Sequence, residues 1–149
     1  EMIDNTNFKY DGIFNLFTSF GYVDHDYNLK TIKNIERQLK DDGVIIIDFM
    51  NTSFVKKNLV KEEIKIIDNL EFEIKRRFDK NYIIKEIKFN DKNEYYFKEK
   101  VMDLGINNFK KYLDKYKLKI IKTFGSYDLD EFELDKSERL IMIIKKSQP

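Results

Sequence analysis

The 149-residue sequence predicts an α/β fold: a parallel strand pair, an antiparallel insert, and a return to the first layer. Three observations carry that expectation. Residues 13–17 and 44–49 are apolar runs separated by a helical stretch, the pattern of parallel strands covered on both faces. From about Glu62 the apolar period drops to two. After a second helical stretch, residues 118–124 and 140–144 turn apolar again at strand length.

Each element has its own local cause. Residues 1–10 are polar and irregular, and 13–17 form the first strand. Asp24 and Asp26 each offer an N-cap for a helix whose Leu29, Ile32, Ile35 and Leu39 share one stripe. That helix is expected to stop at Asp41-Asp42-Gly43, with Gly43 in the left-handed conformation. β-Branched residues on both faces of 44–49 make this strand central in its sheet. Residues 63–67, 70–78, 82–89 and 95–102 alternate apolar with charged side chains and read as an antiparallel meander with one wet face. Asp79-Lys80-Asn81 and Asn90-Asp91-Lys92-Asn93 supply its turns. A second helix follows Gly105, with Ile106, Phe109, Leu113 and Tyr116 on one side, and the acidic loop 125–136 joins the last two strands.

Composition narrows the function. Hydrophobic residues at 42% exclude a disordered chain, and a net charge of +1 gives no field that would gather nucleic acid. The absence of Cys and the single His, His25, rule out thiolate catalysis and leave no His-built metal site or triad. No apolar run approaches the ~20 residues of a membrane span, so a cytoplasmic protein without membrane or nucleic-acid partners is expected.

The words at the strand ends resemble class I S-adenosylmethionine-dependent methyltransferases. Tyr10-Asp11-Gly12-Ile13, Thr18-Ser19-Phe20-Gly21-Tyr22 and Leu39-Lys40-Asp41-Asp42-Gly43 leading into Val44-Ile45-Ile46-Ile47-Asp48 are similar to that family's fourth and fifth strands. Leu118-Lys119-Ile120-Ile121 resembles the sixth strand, and Ser137-Glu138-Arg139-Leu140-Ile141 the start of the seventh. The loop and the meander are most similar to glycine and sarcosine N-methyltransferases and amino-sugar N,N-dimethyltransferases. The resemblance implies the C-terminal half of a Rossmann-like sheet, strand order 4-5-7-6, with an inserted meander. Its parts would be 1–61 (strands four and five), 62–103 (meander) and 104–149 (last helix, strands six and seven). The family's Gly-rich cofactor loop has no counterpart, since the glycines stand alone at 12, 21, 43, 105 and 125. The expected partner is therefore a missing N-terminal half, or a second copy, across the first strand.

The resemblance implies S-adenosyl-L-methionine as cofactor and a small-molecule acceptor, with nitrogen as the methylated atom. Asn15, Leu16 and Phe17 would flank the cofactor, while Thr18, Ser19, Phe20 and Tyr22 would face the transferable methyl. Phe14, Phe17 and Phe20 are otherwise ordinary core, and Ser19 a turn cap. Asp48 would orient or deprotonate an ammonium substrate, or cap the segment starting near Asn51. Asn51 matches an Asn of the glycine-methylating relatives, but Met50 replaces the Arg that holds a substrate carboxylate there, which argues against a glycine-like acceptor. Arg139 would hold a substrate anion, or pair with Asp128, Asp130, Glu131 or Glu133. His25 reads as a surface residue rather than a general base, Lys75-Arg76-Arg77 as a solvated or lid surface, and the tyrosines at 95 and 96 as a lid or as plain packing. The chain alone would be inactive, and a non-catalytic dimerisation or regulatory module derived from such an enzyme is the alternative.

Overall fold

A computed structural model describes residues 8–147. Strand β1 (Tyr10–Asn15) lies parallel to β2 (Leu39–Met50), with Gly12 opposite Val44 and Asn15 opposite Ile47. Helix α1 (His25–Gln38) makes the crossover, its first turn capped by Asp24, whose carboxylate accepts the Tyr27 N–H at 2.8 Å. On its other side β2 pairs antiparallel with β8 (Arg139–Lys146), and β7 (Leu118–Phe124) completes the order β1-β2-β8-β7. The central place of β2 agrees with its apolar residues on both faces. Phe49, Ile45 and Ile47 of β2 pack with Ile32 and Ile35 of α1 and with Phe109 and Leu113 of α3 (Ile106–Asp114) in one core.

Three local expectations are corrected. The first strand ends at Asn15 rather than residue 17, because the chain turns left-handed at Phe17. Gly43 does not terminate a helix: α1 ends at Gln38, the chain enters β2 at once, and Gly43 lies within that strand. A Cβ there would stand 2.7 Å from Cδ1 of the buried Leu39, which would have to shift to admit a side chain. Helix α2 (Thr52–Asn58) forms where no helix was expected, and Asn51 caps it.

The period-two region forms a second sheet. Its strands are β3 (Glu62–Ile67), β4 (Leu70–Asp79), β5 (Tyr82–Asp91) and β6 (Asn93–Met102), hydrogen-bonded in chain order. The base of this meander is tied to the loop after β1: Met102 N–H donates to the Gly21 carbonyl at 2.8 Å, and the Tyr82 hydroxyl to that of Val23 at 3.4 Å. Val101 and Met102 then join the main core.

One face of the meander is charged, with Arg77, Glu86 and Lys98 side by side on neighbouring strands. Hydrogen bonds from Arg77 and from the Tyr96 hydroxyl hold the Glu86 carboxyl at a pKa of about 2, below its ordinary 4.5. Because folding lowers this pKa, the contribution to stability is complete above pH 4.5 and disappears as pH falls through about 2. A carboxyl NMR titration is expected to place the Glu86 midpoint in that lower range, and Glu86→Gln to flatten the acid limb of the stability curve. A midpoint at the ordinary value would show that the Arg77 contact does not persist in solution.

Candidate functional site

The site is built where β1 and β2 end. After Asn15 the chain passes through two consecutive left-handed residues, Phe17 at φ 56° and Thr18 at φ 59°. That conformation costs an L-residue roughly 1–2 kcal/mol and is unusual for a β-branched side chain. Strain of this kind persists only where the surroundings over-determine it.

Asp48, the last acidic residue of β2 and 1% exposed, does so. Its Oδ2 accepts the Phe17 N–H at 2.9 Å and the Tyr127 hydroxyl at 2.9 Å. Its Oδ1 accepts Arg139 Nε at 2.8 Å and Nη2 at 2.6 Å. The Asp48 carbonyl takes the Thr18 N–H at 3.0 Å, and Arg139 Nη2 also reaches Thr18 Oγ1 at 3.1 Å. One residue thus holds both strained amides, while the first residue of β8 locks it from the far side. Local desolvation of the hydroxyl, on a residue otherwise exposed, and then the bond to Asp48 raise the Tyr127 pKa, so this phenol remains a donor at neutral pH. Arg139 finds its partner in Asp48 rather than among the loop acids; Asp130 binds Ser126, and Glu133 binds Lys136.

Beside this clamp a cavity of about 440 Å³ opens between the loop and α1. Asn15, Ser19 and Tyr22 face Asn28, Thr31 and Asn34 across it. The Asn15 Oδ1 is buried without a hydrogen-bond partner, an acceptor that awaits a donor. Burial first, and then the nearby Glu99 charge, raise the Tyr22 pKa, keeping its hydroxyl protonated. Gly21 sits at φ 84°, where a side chain would be strained and a Cβ would meet Leu104 Cδ1 at 3.3 Å. Asn28, 1% exposed, donates to the Tyr112 hydroxyl at 3.4 Å and to Met102 Sδ at 3.3 Å. His25 hydrogen-bonds the same hydroxyl through Nδ1.

The residues expected from the sequence therefore divide. Asn15, Ser19, Phe20 and Tyr22 line the cavity, whereas Leu16 and Phe17 are exposed and lie outside its lining. Thr18, Asp48 and Arg139 form the clamp. The Phe20 ring is 3% exposed and packs on Phe109 and Tyr112, with centroids 5.4 and 6.2 Å away. Asn51 is 3% exposed, donates to the carbonyls of Leu134 and Ser137, and accepts the Ser53 N–H. It fastens the acidic loop to the start of α2. Sequence reasoning missed Tyr127 and Asn28. The signal for Tyr127 was an aromatic residue two positions after Gly125, in a loop returning to the edge where Asp48 ends.

No family model matches the sequence, and no curated protein matches it. Solved structures do match in fold. An S-adenosylmethionine-dependent methyltransferase from Clostridium acetobutylicum superposes with a TM-score of 0.83 at 20% identity, covering 97% of this chain and 61% of its own. The CcbJ methyltransferase from Streptomyces caelestis gives 0.83 at 10% identity, with 98% and 61% covered. The sugar N-methyltransferase KedS8 from a Streptoalloteichus species gives 0.66 at 9% identity, with 97% and 59% covered. The fold is methyltransferase-like, and the chain spans about three fifths of the length of these structures. Among the described residues no helix is long and apolar enough to cross a membrane.

Proposed function

We propose that this chain forms the acceptor-facing part of an S-adenosylmethionine-dependent methyltransferase that acts on a small-molecule amine. The observation that carries the proposal is the strained loop held by Asp48 beside a polar cavity, at the edge of a sheet whose fold is shared with such enzymes. The order β1-β2-β8-β7 then corresponds to strands four, five, seven and six of the family.

The chain's residues fit part of a cofactor site. Asn15 offers a buried, unpaired acceptor to an N–H donor, and the exposed faces of Phe17 and Tyr22 suit a positively charged sulfonium. S-adenosylmethionine, when bound, supplies the methyl group as an electrophile. Asn15, Leu16 and Phe17 line its side of the loop; Ser19 and Tyr22 orient the acceptor nitrogen from the cavity wall, where alignment is the main catalytic need. Asp48 acts as a positioning residue: with four donors on its carboxylate it has no free lone pair aimed at solvent for proton abstraction. Thr18 and Arg139 keep it in place, Phe20 supports the loop from the core, and Asn51 anchors the acidic loop. The edge of β1, where Phe14 is 64% exposed, would receive the strands that carry the Gly-rich loop, or a second copy of this one.

The test is methyl transfer from labelled S-adenosylmethionine by the full product of the gene that encodes this chain, against a panel of amines that includes amino sugars. Asn15→Ala and Tyr22→Phe are expected to lower kcat/KM by roughly tenfold each, the scale of one lost buried hydrogen bond. A gene product that neither transfers methyl nor binds S-adenosylhomocysteine would overturn the proposal. The 149-residue chain alone is expected to bind S-adenosylhomocysteine weakly or not at all in calorimetry.

A further inference from the structure

We infer that Asn28 is a specificity-determining residue of the cavity beside the clamp: its carbonyl oxygen takes an N–H of the acceptor amine, and a relay through Tyr112 to His25 holds its amide in that orientation. The inference rests on the methyltransferase reading of this cavity and deepens it. The relay itself is a property of the fold and is open to a separate test.

Asn28 stands in the first turns of α1 and lines the cavity, although only 1% of it is exposed. Its Nδ2 lies 3.3 Å from Met102 Sδ and 3.4 Å from the Tyr112 hydroxyl. A thioether sulfur has lone pairs and no proton to give, so the end of the amide that faces it must be the N–H end. Both amide hydrogens are then used in the core. Among the described residues nothing donates to the other end, so Oδ1 is the part of this side chain left for the cavity. Asn15 Oδ1, from the same lining, also has no donor. A position with only a packing role would be apolar or paired at both ends, because a buried carbonyl without a donor is destabilising.

Two further residues fix the amide. Nδ2 can only donate, so the Tyr112 oxygen accepts, and the hydroxyl hydrogen goes to His25 Nδ1. The imidazole is therefore the Nε2–H tautomer, with a lone pair on Nδ1. Turning the Asn28 amide over would set its oxygen against the Met102 sulfur and take the donor from the Tyr112 oxygen. The same groups bear on the loop that carries Ser19 and Tyr22. The Tyr112 ring lies 6.2 Å from that of Phe20, and the Met102 N–H holds the Gly21 carbonyl.

A carbonyl oxygen recognises a donor, and this one selects among amines. A primary or secondary amine gives it an N–H and keeps its lone pair free for attack; a tertiary amine has no hydrogen to give. In the transfer the N–C bond forms as the C–S bond breaks, the bonding pair stays on sulfur, and the new ammonium loses its N–H proton to water. Asn28 therefore aligns the nitrogen without acting as a base. The acceptor class is a primary or secondary amine, and a quaternary ammonium is not a product.

The test uses the full product of the gene that encodes this chain. In long-range nitrogen–proton NMR spectra of the imidazoles, the signal lost in His25→Gln is expected to show the Nε2–H tautomer at neutral pH. The Nδ1–H tautomer would overturn the relay. Kinetics use the amine of the panel that wild type methylates fastest. Asn28→Ala should raise its KM about tenfold and leave the affinity for S-adenosylhomocysteine within about twofold, which also shows that the variant is folded. His25→Leu should raise the same KM about threefold, and His25→Gln, whose Oε1 can take the Tyr112 O–H, should restore most of it. An unchanged KM in an Asn28→Ala protein that binds S-adenosylhomocysteine would overturn the inference. So would equal KM values for the two His25 variants, or methylation of a tertiary amine as fast as of its secondary counterpart. The wrong tautomer strikes the relay alone, whereas absence of methyl transfer from every amine strikes the reading beneath it as well.

Discussion

Asp48→Ala is expected to lower the unfolding free energy by about 3–5 kcal/mol, a large share of the ~5–15 kcal/mol typical of a domain. The loss has three sources. Arg139, with only a fifth of its side chain exposed, is left without its carboxylate. Tyr127 loses its acceptor, and the Phe17 amide loses the bond that balances its left-handed conformation. Asp48→Asn keeps the shape and one acceptor, so it should fall between wild type and alanine. Arg139→Met in the Asp48→Ala background should recover part of the loss, because the uncompensated buried charge is then removed. Urea unfolding of wild type, Asp48→Ala, Arg139→Met and the double variant measures the cycle. If Asp48→Ala unfolds within ~0.5 kcal/mol of wild type, the clamp does not hold the loop. The same variant should loosen residues 15–20, visible as faster amide exchange at Phe17 and Thr18.

Much of the fold was legible because it is written in short-range patterns. The change of apolar period near Glu62 gave all four meander strands, and the stripe Leu29, Ile32, Ile35 gave α1. The strand 118–124 was expected with the bounds it has. What failed was local competition and long-range pairing. Gly43 looked like a helix stop, but its role is to make room for Leu39 inside a strand. Helix α2 has no long apolar stripe, and the cap expected for this segment was Asp48, whereas the residue that caps it is Asn51. The Arg139 partner is 91 positions away in sequence, and nearer acids drew the expectation toward the wrong segment. The strained turn was illegible for a simpler reason. Positive φ at Phe17 and Thr18 is imposed by Asp48 from another strand, whereas Gly21 announced its own. The residues that tie the site together are therefore the ones sequence patterns recorded least.

Phe20→Ala is expected to cost about 3–5 kcal/mol, the range for removing a buried aromatic ring, and Tyr22→Ala less than about 1 kcal/mol. The two residues share one loop and were both expected to face the acceptor, yet their surroundings differ. The Phe20 ring sits against Phe109 of α3, which itself meets Phe49 of β2 edge-on at 5.3 Å, so one ring links the loop to the centre of the core. Collapse into the space it leaves is restricted on both sides. Thr18 is fixed by Asp48 and Arg139, and Gly21 by the Met102 amide, so the loop between them cannot sink to fill the hole. This places the cost toward the upper part of the range. For a chain of this size it corresponds to a fall in Tm of roughly 6–20 °C. Tyr22, nearly half exposed at 48%, loses mainly solvent-facing surface and the hydroxyl on the cavity wall. Thermal unfolding should thus separate a residue that supports the loop from one that presents chemistry on it. A Phe20→Ala protein that melts with the wild type would return Phe20 to the acceptor side and remove the core's hold on the loop.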